Sequence, residues 1–188
     1  VKKSNLFSLL LSLSSCSYQW QPVERPAICV PFIQGDDDGT FTVEVMQSLA
    51  SSGIKVSANA HHRLEITLKG QTHENIGYRR DPQKVDGKVR KNLLAVEGRK
   101  TLSLEMALYQ GEEKVFGPYL IEADVDYDYV DGDSLQDLTF TNSAGELVTV
   151  LPFSLGQLES IESAQEAANK PLYTRLAQKI VDAILSKW

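Results

Sequence analysis

Apolar and polar positions along the chain switch between a period of two and a period near four, and these switches lay out its elements. Residues 27–33, AICVPFI, form a nearly continuous apolar run between Pro26 and the stretch from Gly35 to Gly39, which predicts a short buried strand. Asp36, Asp37, Asp38 and Thr40 then offer oxygens for the orphan N–H groups of a helix, and their charge suits its positive end. In TFTVEVMQSLASSG, Phe41, Val45 and Leu49 recur at every fourth position with Met46 beside them, and Gly53 supplies the stop. The pattern predicts one helix of about three turns.

After a short IKV segment the period drops to two. Leu64, Ile66 and Leu68 alternate with Glu65, Thr67 and Lys69, the mark of a half-buried strand. The alternation returns in TLSLEMALYQ, with Leu102, Leu104, Met106 and Leu108 on one face. It returns again in YLIEADVDYDYV, where Tyr119, Ile121, Ala123, Val125, Tyr127 and Tyr129 share a face. Gly111, Glu112 and Glu113 mark a turn between these last two, so they pair as an antiparallel hairpin and the three long strands make a meander.

Residues 131–152 admit two readings, because LTFT and LVTVLPF flank NSAGE either as a small hairpin or as an irregular flap. Helix formers return over residues 157–169, with Leu158, Ile161, Ala164 and Ala168 in register. Pro171 either opens a new first turn or kinks a longer helix. Beyond it Leu172, Leu176, Ile180 and Ile184, flanked by Tyr173, Ala177 and Val181, form a wide apolar stripe that must lie on a sheet or another helix. The order strand, helix, three antiparallel strands, helix predicts an α/β (α+β) two-layer sandwich with the helices on one face of the sheet.

The N-terminus changes the picture of where such a domain works. VKKSNLFSLLLSLSSC opens with Lys2 and Lys3, continues with an apolar run over residues 6–13 diluted by serines, and reaches Cys16 through Leu13, Ser14 and Ser15. A bilayer span needs about twenty apolar residues, so this run is too short to cross and has the build of a secretory signal. Val1 then stands for an initiator methionine read from an unusual start codon. The order Leu-Ser-Ser-Cys is similar to the lipobox of bacterial lipoproteins. That resemblance implies cleavage before Cys16, acylation of its sulfur and new amine, and, with Ser17 rather than aspartate next, placement on the periplasmic face of the outer membrane. The expected organisation is a signal peptide over residues 1–15, a lipidated tether over 16–26 and a single domain over 27–188. In the tether, SYQWQPVERP, two prolines break any periodicity, and the rings of Tyr18 and Trp20 are free by sequence either to lie at lipid headgroups or to pack on the domain.

Charge narrows the partners. The net charge of −6 becomes −8 once Lys2 and Lys3 are removed, which disfavours nucleic acid. The charge is unevenly spread: Arg79, Arg80, Lys84, Lys88, Arg90, Lys91, Arg99 and Lys100 face only Asp81, Asp86 and Glu97 within residues 79–100. Residues 112–166 hold acids with Lys114 as the sole base. The basic stretch falls mostly on the connection between the first two long strands. It reads either as a solvated tip or as a local attraction for phosphate groups, since screening confines each charge to about 10 Å.

Catalytic and metal chemistry find little support. Asp124, Asp126, Asp128, Asp131 and Asp133 stand at alternating positions, but a calcium loop begun at Asp124 would need glycine and glutamate where Tyr129 and Leu135 stand. His61, His62 and His73 have no zinc spacing around them, and neither a nucleophile elbow nor a phosphate loop is present. With Cys16 assigned to lipid, Cys29 has no disulfide partner and reads as a small core side chain. The expectation is a protein that is not an enzyme and carries no cofactor and no metal.

The lipobox cysteine, the early strand and helix, RLEITLKG, LSLEMALYQGEEKVFG and PLYTRLAQKIVDAI together resemble the LPS-assembly lipoprotein family, LptE. The resemblance implies a non-enzymatic partner seated in the lumen of the outer-membrane β-barrel LptD, assisting lipopolysaccharide into the outer leaflet. Arg79, Arg80, Lys84, Lys88, Arg90 and Lys91 would then meet lipid A phosphates, a role assigned from their charge. The acidic strand and LTFTNSAGELVTVLPF lie outside the resemblance. Another periplasm-facing lipoprotein, such as a secretion-pore pilot or an assembly factor, would share the anchor and the fold type.

Overall fold

The computed structural model describes residues 25–85, 88–130, 139–149 and 160–187, with the side chains of residues 81–85, 88–92, 139 and 149 left out. Residues 1–24, on which the expected signal, Cys16 and most of the expected tether fall, Asp131, Asp133 and residues 150–159 therefore lie outside the described residues. The elements are β1 (Ile28–Cys29), α1 (Thr40–Ser51), β2 (His62–Val85), β3 (Lys88–Gln110), β4 (Glu113–Asp128), β5 (Thr139–Thr141), β6 (Leu147–Thr149), α2 (Ile161–Ala167) and α3 (Asn169–Leu185). One sheet runs β1-β2-β3-β4, and β5 pairs with β6 in a separate hairpin. β1 is parallel to β2, and the long strands pair antiparallel, as the meander predicts. The fold is an α+β sandwich with the helices packed on the sheet.

Alternation decides what the sheet buries. Leu64, Leu104, Met106 and Leu108 are almost fully buried, and Ala123 and Val125 join them from β4. Against this face lie Phe41, Val45 and Leu49 of α1 and Leu172, Leu176, Ile180 and Ile184 of α3, in one continuous cluster. Phe41 and Tyr173 bring the two helices together with ring centroids 5.1 Å apart. The opposite face of the sheet is polar and laced with ion pairs, Arg63 to Glu65 at 3.1 Å and Lys69 to Glu105 at 3.6 Å.

Several details differ from the sequence expectation. The apolar run 27–33 gives only a two-residue strand: Pro31 has no N–H to continue a ladder, and the chain rejoins the sheet through a single bridge from Gln34 to Thr67. Cys29 is half-buried rather than in the core, because Ile28 beside it takes the inward position. Tyr119 shares the inward register of β4, opposite Met106, yet is 48% exposed; it stands beside the register shift between Met106 and Leu108 of β3.

The caps follow the local chemistry. The position before α1 is Gly39, with no side chain, and Asp36 does the capping from three residues earlier. Its carboxylate, 3% exposed, accepts from the N–H groups of Phe41 (3.3 Å) and Thr42 (2.7 Å) and from the Thr42 hydroxyl (2.6 Å). The helix ends where Gly53 takes φ +77°, a left-handed turn that suits glycine. The stretch after residue 160 splits into two helices: Ser160 caps α2 through Ser163 N–H, and Pro171 sits in the first turn of α3, where a missing N–H leaves no bond unmade. Among the described residues no helix is long and apolar enough to cross a membrane.

Candidate functional site

The basic stretch lies on a β-ribbon. β4 accompanies β3 only as far as the pair Glu97–Asp128, whereas β2 and β3 stay paired onward to Val85–Lys88. Beyond the four-stranded sheet a two-stranded arm therefore continues for about nine residues per strand, roughly 25 Å at the rise of a β-strand. Gly77 and Glu97 mark its base, where the register shifts twice. Such bulges strengthen local twist and bend a ribbon away from its parent sheet.

The arm carries both charge and apolar surface. Arg80 is exposed and pairs with Leu93, itself 64% exposed; Arg79 is half-buried and pairs with Leu94. Directly paired residues share a face of a ribbon, so Arg80 and Leu93 stand with Tyr78 and Ala95, the next pair of the same parity. Tyr78 is 55% exposed and its hydroxyl donates to the Asn75 carbonyl at 3.2 Å. Lys84, Lys88, Arg90 and Lys91 occupy the same ribbon by register, against Val89, Val85, Gln83 and Pro82. The backbone thus gathers all six sequence-assigned cations onto one projecting hairpin. Such an arm can hold anionic groups by charge and an apolar moiety by its rings and aliphatic side chains.

Two of the eight basic residues do not belong to this surface. Arg99 is committed to the outer face of β4: its Nε donates to Asp126 Oδ1 at 2.7 Å and its second terminal nitrogen to Asp126 Oδ2 at 3.0 Å, with Asp124 at 3.8 Å. The hydrogen-bonded guanidinium holds the Asp126 carboxyl below its ordinary range. Asp124, Asp126 and Asp128 therefore line an outward strand face, on which Arg99 pairs with the first two. Lys100 is buried at 4% exposure, donating to the Gln165 carbonyl (3.2 Å) and to Asn169 Oδ1. Desolvation lowers its pKa. The signal was in the alternation: Lys100 has the parity of Leu102 and Leu104, the inward set.

Around Lys100 a small polar cluster closes the sheet end nearest the arm. The Tyr127 hydroxyl stands 3.5 Å from His73 Nδ1 and accepts from Gln165 Nε2 at 3.1 Å. His73 is directly opposite Lys100 in the β2–β3 register. His61 and His62 sit at the other end of β2, and among the described residues no three potential ligands gather as a metal site.

No family model matches the chain, and no curated protein matches it. Among solved structures the chain is similar to a minor lipoprotein from Acinetobacter baumannii, with 12% identity over 86% of this chain and 94% of that one and a TM-score of 0.44. It is also similar to rare lipoprotein B from Shewanella oneidensis, with 17% identity over 85% and 95% of the two chains and a TM-score of 0.43. A hypothetical protein from Chlamydia trachomatis gives 9% identity over 86% and 99% and a TM-score of 0.43.

Proposed function

We propose that this protein is a lipid-anchored lipoprotein of the outer membrane, of the LPS-assembly type, that works as a non-enzymatic partner of the β-barrel LptD and helps lipopolysaccharide reach the outer leaflet. The observation that carries the reading is the separation of two ends of one long strand. Ile28 and Cys29 pair with His62 and Arg63 at the start of β2, while Arg79 and Arg80 lie near its far end, roughly 55–60 Å away at β-strand rise. A lipid on Cys16 would hold the first end at the membrane and leave the cationic, partly apolar arm to reach along an export path. Lipid A presents phosphates beside acyl chains, the two chemistries that the arm offers together.

The polar outer face of the sheet supports the same reading, since the lumen of a large barrel is itself polar. Two experiments test it. Mild detergent extraction should recover LptD with the tagged protein, and recovery of a secretin without LptD would replace this function with that of a secretion-pore pilot. Charge reversal at Arg79, Arg80, Arg90 and Lys91 should weaken lipopolysaccharide binding in a salt-dependent way; unchanged binding would remove the arm from the mechanism.

A further inference from the structure

The arm leaves the body of the domain through a root that is bulged in both strands. Asn75 pairs with Gly98, Gly77 with Glu97 and Tyr78 with Ala95, so Ile76 of β2 and Val96 of β3 have no opposite residue. Unpaired residues of this kind interrupt the ladder, which makes the root the softest segment between the four-stranded sheet and the ribbon. Hinges form at a few such positions, where a small change of backbone angles swings everything beyond them.

One residue holds both bulges. Tyr129 follows the last residue of β4, and its N–H donates to the carbonyl of Val96 at 3.0 Å. Its hydroxyl reaches across β3 and donates to Asn75 Oδ1 on β2 at 3.3 Å. The backbone bond thus falls on the bulged residue of β3, and the side-chain bond falls on the residue just before the bulge of β2. The Tyr129 ring is itself fixed, packed partly buried against the core with its centroid 6.0 Å from that of Tyr127. Asn75 also receives a phenol from the arm, since Tyr78, the first paired residue past the bulges, donates its hydroxyl to the Asn75 carbonyl at 3.2 Å. Through its two oxygens Asn75 therefore joins a tyrosine of the body to a tyrosine of the arm. Asn75 is exposed, so core packing does not account for an amide at this position.

We propose that Asn75 and Tyr129 are positioning residues that set the direction of the β2–β3 arm relative to the sheet. The inference rests on the reading of the arm as the working surface and adds what aims it. With the hydroxyl bond made, both strands leave the body at one angle. Without it, β3 stays held through the Tyr129 backbone while β2 is released, and the ribbon turns about β3.

Distances between spin labels test the clamp in the full 188-residue chain, in mild detergent and with Cys16→Ser and Cys29→Ser. One pair joins Leu93→Cys on the arm to Val43→Cys on α1, and a control pair within the body joins Val43→Cys to Glu105→Cys; all three positions are exposed. Loss of one such hydrogen bond changes the ratio of held to released arm about fivefold, so Tyr129→Phe and Asn75→Ala should each raise the fraction of arm-to-body distances outside the parent peak by that factor. The double variant should raise it no further, because both changes remove the same bond. Asn75→Asp keeps the acceptor and should keep the parent distribution. Arm-to-body distances unchanged in both single variants would overturn the proposal, as would additive effects in the double variant. Equal broadening of the control pair would mark a general loosening and overturn it too, and so would an Asn75→Asp chain as broad as Asn75→Ala. The labels report direction whether or not the arm meets lipopolysaccharide, so failure of the functional reading and failure of the clamp are distinguishable.

Discussion

Lys100 and Asn169, 69 residues apart in sequence, are joined by a hydrogen bond from the lysine ammonium to the side-chain oxygen at the first position of α3. The same ammonium donates to the carbonyl of Gln165 in α2. One strand residue thereby ties the junction of two helices to the sheet. Each end of the tie lies in a different layer, so it aligns the C-terminal helices over β3 and β4.

Replacing Lys100 by methionine keeps the bulk and removes the donors. Two oxygens then lose a partner, which costs about 1–3 kcal/mol and exceeds the relief from removing a buried charge. Urea unfolding of Lys100→Met should show this loss, and adding Asn169→Leu should recover part of it through non-additivity. A Lys100→Met variant as stable as the parent would show that the tie is dispensable.

Asp36 carries the start of α1. Asp36→Ala removes the acceptor for two backbone N–H groups and one hydroxyl and should cost about 1–2 kcal/mol. Asp36→Asn keeps one oxygen and should lose less. Thermal melts of the two variants check the order.

Acid should weaken the cluster beside the arm. Burial, with the positive charge of Lys100 as the second cause, holds His73 below its ordinary value of 6.5. The unfolded chain therefore takes up the proton first, and stability is full above that value and declines as pH falls from it toward the folded pKa. The groups facing the ring are Lys100, Tyr127 and Gln71, whose Nε2 lies 2.8 Å from His73 Nε2. Denaturation midpoints between pH 7.5 and pH 5 should fall less for His73→Gln than for the parent; parallel curves would show that another group governs the acid limb.

Gly98 gives the Tyr127 ring its place. A Cβ there would meet the ring carbon that bears the hydroxyl at 2.5 Å, so Gly98→Ala must displace the ring from His73 and Gln165. Overpacking of this kind costs about 1–3 kcal/mol. The near-ultraviolet tyrosine signal should change along with the stability, which separates ring displacement from a backbone effect.

How far the chain could be read without its fold is clear from particular residues. The parity of Leu102, Leu104, Met106 and Leu108 and the fourfold spacing of Phe41, Val45 and Leu49 already name the buried faces, because burial demands those periods. Gly111 marks the hairpin, and Thr139–Thr141 with Leu147–Thr149 turns out as the small hairpin, one of the two readings of that stretch. Arg99 and Lys100 were misleading as charge alone. Their neighbours in space, Asp126 and Asn169, come from other strands and helices, and composition cannot supply such pairings.

By itself the sequence determined the local elements, the apolar faces and the clustering of cations between two strands, since these depend on residues within a few positions of one another. The tertiary structure alone decided that β2 and β3 outrun β4, which turns that cluster into an arm, and that His73 stands opposite Lys100. Both follow from strand register, which hydrogen bonding settles between segments distant in the chain and no local pattern encodes.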